Sequence, residues 1–467
     1  MNLAHRVIAA PSFGMPDMKE LLDSFKKHYD PVHRDYWTDV LTDSELAQWQ
    51  QQQLRKVVDH VKRTSPFYGK HLAHFEAHTL TLDDLPRLPF TTKDDLREAG
   101  FDILSGPLEE AIFYYETTGT TGPATPCPRD AKESYASNQQ LAMAYQAVIE
   151  KHFLGEKTVV GIMGPTEVHS FGDTLGDVCK QLGVCNAKLW PHSPVIGWPK
   201  ALQLLKDLRI GVLASAPGLL LAMAKEAERQ GLDPRKDLNL RAFMMSGELC
   251  TPALKNNLFS LWGAEAYNSL YGSQEAMIIA ACNANDQLMP HRLNYLIEVI
   301  DPQTGQSRGS TGDGELCVTM LIPGSKPLIR YRTGDLVSIQ SRSGYPQSQR
   351  QTIKVVGRVK DAVQLNGRPF SAAHIEQALL EGVEQCLGYQ IILSNANSCD
   401  TVIAKLEMSR FFEGDRARLV LLIKERLRER LGVEATVMVV EDLADHVNLG
   451  SWFSWKEARI VDQRQVG

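Results

Sequence analysis

The sequence predicts an α/β fold with a large N-terminal domain at 1–358 and a small α+β domain at 359–467. Between 158 and 270, short apolar runs alternate with helix-like segments of roughly 10–15 residues, which indicates mostly parallel sheets flanked by helices. Beyond Tyr271 the pattern changes to short strands and turns, so a small β region is expected there. After 357–361, helices and strands follow each other over about one hundred residues, a normal size for an independent unit.

The individual elements are predicted from the spacing of apolar residues. Helices are predicted at 46–63, 134–152, 201–208, 219–229, 252–262, 371–380 and 416–431. Strands are predicted at 158–164, 211–215, 242–245, 264–270, 295–300, 314–319, 389–393, 401–408 and 435–440. In a parallel sheet, ligands are expected at the carboxyl ends of the strands.

The composition is that of an ordinary soluble enzyme. Of 467 residues 43% are hydrophobic, and the net charge of −6 provides no broad basic field for nucleic acid or anionic lipid. No stretch approaches the ~20 apolar residues of a membrane span, and the first residues lack a signal-peptide pattern, so a cytoplasmic protein without a membrane or nucleic-acid partner is expected. The eight cysteines include no CxxC pair and are expected to be reduced thiols. A homodimer is compatible with the sequence.

A run of threonines and glycines follows the apolar stretch 111–115. It consists of Thr117, Thr118, Gly119, Thr120, Thr121 and Gly122. Glycines let backbone N–H groups approach a polyanion and threonines add hydroxyl donors, so the run is a candidate phosphate-binding turn. It is not a Walker A loop, because Pro123 and Ala124 follow it. A solvated loop is the simpler alternative.

Six motifs in a fixed order carry a resemblance to a known family. They are SPFY at 65–68 with LPFTTKDDL at 88–96, TTGTTG at 117–122, YGSQE at 271–275, YRTGD at 331–335, GRVKD at 357–361 with NGR at 366–368 and IE at 375–376, and KEARIVD at 456–462. With these motifs the chain resembles the adenylate-forming superfamily of acyl-CoA synthetases, peptide-synthetase adenylation domains and luciferases. It looks most like the phenylacetate-CoA ligase group. The resemblance covers nearly the whole chain and implies that the C-terminal domain is mobile.

The resemblance implies ATP, Mg²⁺ and a carboxylic acid as ligands of the N-terminal domain. The threonine and glycine run would hold the β- and γ-phosphates, and Glu275 would be a hard oxygen ligand for Mg²⁺. Asp335 would accept hydrogen bonds from the ribose hydroxyls. The adenine pocket would be formed by Tyr271, Gly272, Ser246, Gly247 and Glu248. Without this context, Glu275 would be interpreted as an exposed carboxylate and the Thr-Gly-Asp sequence as a turn.

The resemblance also assigns roles to residues at and beyond the second boundary. Arg358 would reach the ribose or phosphate, and Lys360 would lie at the hinge. Lys456 would be the catalytic lysine, because a lysine brought in by a mobile domain can contact both the carboxylate and the α-phosphate. Gly367 would line the tunnel for a thiol, and a solvated surface lysine is the alternative for Lys456.

Two positions depart from the pattern of the family. The phosphate loop usually continues Gly-Lys-Pro, whereas Pro123 and Ala124 follow Gly122, so one cationic phosphate contact is missing. The terminal lysine is usually preceded by glycine, whereas Trp455 precedes Lys456. A catalytically degenerate nucleotide-binding protein is therefore one alternative.

The positions that match the acyl pocket of the family lie at two predicted strand ends. They are Gly164, His169, Phe171, Ala214 and Ser215. Phe171 and His169 suit an aromatic acid, although His169 is equally well explained as a satisfied loop histidine. A second set, Cys250, Cys282, His291 and Cys317, is a candidate zinc site, with buried free thiols as the simpler alternative.

The resemblance therefore implies an ATP- and Mg²⁺-dependent acid–thiol ligase. It would form an acyl-adenylate, release pyrophosphate and transfer the acyl group to CoA. Transfer to a carrier-protein phosphopantetheine or to an amine, as in antibiotic pathways, is the alternative within the same class.

Overall fold

A parallel sheet of five strands lies at the centre of the larger part of the molecule. The computed structural model describes residues 18–117, 123–248, 250–396, 399–443 and 459–464. The strands of this sheet are β1 (Val159–Met163), β2 (Cys185–Lys188), β3 (Val212–Ser215), β4 (Ala242–Met245) and β5 (Glu265–Asn268). Their spatial order is β2-β1-β3-β4-β5, and every neighbouring pair is parallel. The predicted parallel sheet is confirmed.

Helices precede the sheet and connect its strands. They are α1 (Met18–Trp37), α2 (Asp43–Thr64), α3 (Pro66–His71), α4 (Lys93–Ala99), α5 (Ala131–Phe153), α6 (Ser170–Gln181), α7 (Gly197–Asp207), α8 (Pro217–Arg229), α9 (Pro234–Asp237) and α10 (Pro252–Trp262). Short 3₁₀ helices lie at Ala77–Thr79, Leu82–Arg87, Gly100–Ile103, Leu108–Glu110, Gln347–Gln349 and Val359–Asp361. Side-chain caps fix several helix starts, as at Thr92, which together with Asp95 forms a capping box that begins α4.

Two antiparallel sheets follow the parallel sheet in the chain. One contains β6 (Leu270–Ser273), β7 (Met277–Cys282) and β8 (Leu288–Pro290). The other contains β9 (Tyr295–Ile300), β10 (Gly312–Met320), β11 (Tyr331–Ser341) and β12 (Gln351–Arg358), in sequential spatial order. Both form a core of their own with α2 and α3, which accounts for the predicted β region.

The C-terminal part has the predicted α+β composition. A hairpin of β13 (Val363–Leu365) and β14 (Arg368–Phe370) leads into α11 (Ala372–Leu380), β15 (Cys386–Ala396), β16 (Cys399–Met408), α12 (Arg416–Leu431), β17 (Glu434–Val440) and β18 (Ile460–Asp462). Its sheet has the order β17-β16-β15-β18. Because β18 pairs with β15, the end of the terminal motif is held inside this sheet.

Buried polar contacts join the C-terminal part to the parallel-sheet part. The side chain of Asn257 on α10 donates to the carbonyl of Cys386 at 2.7 Å and accepts from its N–H at 2.8 Å. On α8, Lys225 pairs with Glu407 at 2.8 Å and with Asp442 at 2.5 Å. The apolar cores of the two parts are also continuous.

Candidate active site

The base of the phosphate loop is a short antiparallel ladder. The N–H of Thr117 donates to the carbonyl of Thr125 at 3.2 Å, and the N–H of Thr125 donates to Oγ1 of Thr117 at 2.9 Å. Two residues further on, the N–H of Cys127 donates to the carbonyl of Tyr115 at 2.7 Å. Thr118, Gly119, Thr120, Thr121 and Gly122 lie outside the described residues. The ladder brings both ends of the predicted loop together.

Gln274 ties this ladder to the predicted acid pocket. Its side-chain amide donates to the carbonyl of Glu116 at 3.5 Å, and its amide oxygen accepts from the hydroxyl of Ser170 at the start of α6. The phosphate-loop base, the acid-pocket helix and the motif at 271–275 are therefore neighbours. The sequence identified Gln274 only as an unspecified motif position.

Glu275 is a buried carboxylate with a lysine partner. Its side chain is 5% exposed, and its Oε1 lies 3.1 Å from Nζ of Lys93 at the start of α4. Burial alone would raise the pKa of Glu275, but Lys93 and then Lys326 outweigh burial and hold that pKa below its usual value. The alternative interpretation, that Glu275 is an exposed carboxylate, is wrong. A buried, ionised carboxylate is a suitable ligand for a hard cation such as Mg²⁺.

Tyr271, Asp335 and Arg358 come together from three separate motifs. The Tyr271 hydroxyl lies 2.7 Å from Oδ2 of Asp335, and Nε of Arg358 lies 3.4 Å from Oδ1 of the same carboxylate. Burial and the adjacent carboxylate raise the pKa of Tyr271 well above its usual value, so the phenol stays protonated. Asp335 and Arg358 are also direct partners in the β11–β12 ladder. Residues predicted for adenine (Tyr271), for ribose (Asp335) and for ribose or phosphate (Arg358) thus form one cluster.

Glycine at 272 is required by a close backbone approach. A Cβ at this position would lie 2.0 Å from the carbonyl oxygen of Met277 on the neighbouring strand. Any side chain would therefore disrupt the β6–β7 pairing that places Tyr271 beside Asp335.

The loop at 246–248 follows β4. Ser246 is buried, and its N–H donates to the carbonyl of Ser215 at 3.1 Å, whereas Gly247 has a φ of 86°. The carboxylate of Glu248 lies 3.0 Å from Arg459, immediately before β18. This long-range partner was not predicted, because two charged residues so far apart in sequence give no pairwise signal.

Arg459 belongs to a larger buried polar group. Its guanidinium lies 3.5 Å from Glu376 on α11, and Glu376 accepts hydrogen bonds from Thr251 at 2.8 Å and from the hydroxyl of Tyr389. The side chains of Arg459, Glu248 and Glu376 are all less than 10% exposed. Lys456 and Trp455 lie outside the described residues, and the chain is described again from Arg459, which pairs with Glu248 of the loop at 246–248.

The predicted acid pocket lies at the ends of β1 and β3. Phe171 packs directly on Gly164, where a Cβ would lie 2.4 Å from its ring. Ser215 donates to the carbonyl of Met163 at 3.1 Å, and the adjacent Ala214 is fully buried. His169 caps α6, with Nδ1 accepting from the N–H of Phe171 at 3.1 Å. This local bond fits the alternative of a satisfied loop histidine.

The predicted hinge and tunnel residues lie at the start of the C-terminal part. Lys360 lies in the 3₁₀ turn Val359–Asp361, directly after β12. Gly367 has a φ of 76° and Asn366 has a φ of 47°, so the two residues form the tight turn of the β13–β14 hairpin. A Cβ on Gly367 would meet open space, and the turn itself explains why glycine is present.

The four candidate zinc ligands do not form one site. Among the described residues there is no group of three or more His, Cys, Asp or Glu side chains that could hold a metal ion. His291 contacts Asn294 at 2.9 Å and Tyr29 at 3.4 Å, and Cys317 lies beside Glu298. Cys250 and Cys282 are buried free thiols. The described residues therefore give the zinc prediction no support.

Curated relatives of the chain are phenylacetate-CoA ligases. The chain is 27% identical over 409 residues to phenylacetate-coenzyme A ligase of Pseudomonas putida, covering 84% of this chain and 89% of the relative. It is 26% identical over 440 residues to that of Aromatoleum evansii, covering 90% and 95%. The chain resembles this group over most of its length. The predicted resemblance is confirmed, and these relatives support the prediction of an acid–thiol ligase. No protein-family profile matches the chain.

A solved structure confirms the fold. The crystal structure of 2-hydroxyisobutyryl-CoA ligase in the postadenylation state, in complex with 2-HIB-AMP, has a TM-score of 0.73 at 20% identity, covering 90% of both chains. At this identity the likeness concerns the fold alone, including the small C-terminal domain. Within the described part of our chain, no helix combines the length and the apolar character needed to cross a bilayer.

Proposed function

We propose that the chain is an ATP- and Mg²⁺-dependent ligase that activates a carboxylic acid and transfers the acyl group to CoA. The observation that carries this proposal is the cluster of Tyr271, Asp335 and Arg358, which provides an aromatic ring, a carboxylate and a guanidinium for one nucleoside. The proposed acid is aromatic, which is supported by the buried ring of Phe171 in the pocket and by relatives named phenylacetate-CoA ligases.

The first half-reaction joins two anions. An oxygen of the acid carboxylate attacks the α-phosphorus of ATP, a new O–P bond forms, and the bond to the pyrophosphate oxygen breaks. Positioning and positive charge must offset the repulsion between the reactants. Magnesium, when bound, neutralises charge on the phosphate oxygens, and Glu275 is the residue that would hold it.

In the proposed complex, the nucleoside and the phosphates bind to different elements. Tyr271 stacks on adenine beside Ser246 and Gly247, whereas Asp335 accepts from the ribose hydroxyls and Arg358 contacts the ribose or phosphate. The loop at 117–122 donates to the β- and γ-phosphates.

The second half-reaction needs another arrangement of the C-terminal domain, which we place at 359–467. The thiol sulfur attacks the acyl carbonyl carbon, a C–S bond forms, and AMP leaves. Rotation at Lys360 would withdraw Lys456 and bring the Gly367 turn towards the thiol path. The pair Arg459–Glu248 would separate in this rotation, whereas Arg459 and Glu376 would move together.

Acid-dependent exchange of pyrophosphate into ATP tests the proposal. Wild type should catalyse exchange with at least one acid of an aromatic and amino-acid panel, and Lys456→Ala should lose it. Lys424→Ala, which removes an exposed lysine from α12, is the matched control. If ATP binds but no acid supports exchange, the chain is a nucleotide-binding protein that does not form adenylates.

Product analysis separates the acceptors. The thioester of CoA is expected when acid, ATP and CoA are supplied together. Exclusive transfer to a carrier-protein phosphopantetheine or an amine would favour a role in antibiotic biosynthesis.

A further inference from the structure

Lys326 is a buried cation without a close anionic partner among the described residues. It lies between β10 and β11 and is 3% exposed, and its ammonium is 3.1 Å from Sγ of Cys127. Burial raises the pKa of the Cys127 thiol, so this partner is neutral. A buried charge next to a neutral group is costly unless an anion compensates it. The position of Lys326 therefore indicates an anion that binds nearby.

The surroundings of Lys326 identify the place of this anion. Cys127 lies two residues beyond Thr125, whose N–H bonds to Thr117 at the base of the phosphate loop. Glu275 interacts electrostatically with Lys326, but its carboxylate is in contact with Lys93 at 3.1 Å. The Glu275 carboxylate thus faces two ammonium groups, those of Lys93 and Lys326, which favours the binding of a further anion beside them.

The backbone around Lys326 is fixed. The N–H of the preceding Ser325 donates to Oε1 of Glu133 at 3.0 Å, and its carbonyl accepts from Ser105 at 2.8 Å. A cation held in this way needs little reorganisation when an anion arrives.

The phosphate loop itself lacks its usual cation. Pro123 and Ala124 occupy the positions after Gly122, and both are exposed. A polyphosphate on this loop would therefore meet hydroxyl and backbone donors but no lysine of the loop.

We propose that Lys326, which contacts Cys127 close to the Thr117–Thr125 base, is the phosphate-binding cation of this chain and takes the role of the lysine that is missing after Gly122. Its ammonium attracts the β- and γ-phosphates of ATP, and pyrophosphate, through its positive charge. This inference rests on the proposed function, because it takes ATP as the ligand of the site.

Calorimetric binding of ATP and of AMP, both with Mg²⁺, tests the inference. Lys326→Met should weaken ATP binding about tenfold or more, because a charged contact is lost, whereas AMP binding should change less than about twofold. Lys326→Arg should retain most of the ATP affinity. Pro123→Lys in the Lys326→Met background should restore it, because the charge returns at an exposed loop position.

The result that overturns the inference is an equal loss of ATP and AMP affinity, or no loss at all, in Lys326→Met. If this variant does not fold, Cys127→Asp and Cys127→Asn replace it. The aspartate would neutralise Lys326 in place, so the aspartate variant should bind ATP about tenfold more weakly than the asparagine variant. Equal affinities would also overturn the inference. Failure of the wild type to bind ATP would instead contradict the proposed function.

Discussion

The hydroxyl of Tyr271 donates a hydrogen bond of 2.7 Å to Asp335, so a residue of the YGSQE motif orients the carboxylate of the YRTGD motif. Tyr271→Phe keeps the ring and removes only this bond. We expect the KM for ATP to rise about tenfold, the usual effect of losing a hydrogen bond to a charged group, with a smaller change in kcat. Steady-state exchange kinetics measure both. Tyr345→Phe, at an exposed tyrosine, is the control, and an unchanged KM in Tyr271→Phe would contradict this role.

Glu133 should make the free energy of unfolding depend on pH. Burial, and then Asp130, raise the pKa of Glu133 to about 7, above its ordinary value of 4.5. Between these two values the folded protein binds more protons than the unfolded chain, so stability falls as pH rises, by at most about 1.4 kcal/mol per pH unit. Glu133→Gln should remove this slope, so that it gains stability relative to wild type from pH 5 to pH 8.

Urea unfolding at the two pH values measures this effect. Glu150→Gln changes an exposed glutamate on the same helix and should keep the wild-type slope. If the free energy of unfolding changes with pH equally in wild type and in Glu133→Gln, Glu133 is already ionised in the folded protein at these pH values.

The buried pair Glu248–Arg459 links the adenine loop to the segment after Lys456. Arg459→Met leaves two buried carboxylates without their shared cation and should lower the free energy of unfolding by about 3 kcal/mol. Glu248→Gln should cost less, since Arg459 keeps Glu376. Chemical denaturation gives both values.

Glu248→Gln should also separate the two half-reactions. Pyrophosphate exchange should slow several-fold, because Arg459, three residues after Lys456 in the chain, loses its ion pair with the loop at 246–248. Thioester formation from supplied acyl-adenylate should continue at the wild-type rate. Lys225→Met is the control, because it removes a different contact between the same two parts of the molecule. If both variants change the rates of pyrophosphate exchange and thioester formation in the same way, the effect is one on general packing.

The proposed acid pocket requires that position 164 has no side chain, because the ring of Phe171 packs on it. In Gly164→Ala the new Cβ would clash with the ring of Phe171, 2.4 Å away, and displace it. We expect the KM for the acid to rise about tenfold, with the KM for ATP nearly unchanged. Gly176→Ala on α6 is the control, since its Cβ would lie 3.7 Å from the nearest side-chain atom. Equal changes in both KM values would place this pair outside the acid pocket.

The purified protein should contain much less than one zinc ion per chain. Cys250, Cys282, His291 and Cys317 each have other neighbours, and burial raises the pKa of all three thiols, which disfavours the thiolates that zinc requires. Elemental analysis measures the zinc content. One zinc per chain, lost in Cys282→Ala, would contradict this arrangement.

Most regular elements could be predicted from the sequence where apolar residues decide the period. Helix α10 and strands β4 and β9 agree with their predicted bounds to the residue. Helix α6 and strand β2 were missed: α6 begins with polar and glycine residues that resemble a loop, and β2 is half-buried and lacks an apolar run. Helix α1 was also missed.

In the candidate site, too, some features could be predicted from the sequence and others could not. Motif spacing predicted the individual residues Tyr271, Glu275 and Asp335, but not their partners. Lys326 and Cys127 are 199 residues apart in the chain, so their contact exists only after the segment between β10 and β11 packs against Cys127. Long-range pairs of this kind depend on topology, which a single sequence does not specify.

The distribution of cysteines should make the proposed rotation of the C-terminal domain observable by fluorescence without any mutation. Cys185 on β2 and Cys399 on β16 are exposed, one in each part of the molecule, whereas the other six thiols are buried and have raised pKa values. A thiol-directed dye pair should therefore react at these two sites first. Energy transfer between the dyes, followed after mixing with acid, ATP and then CoA, would time each change of arrangement in the native chain.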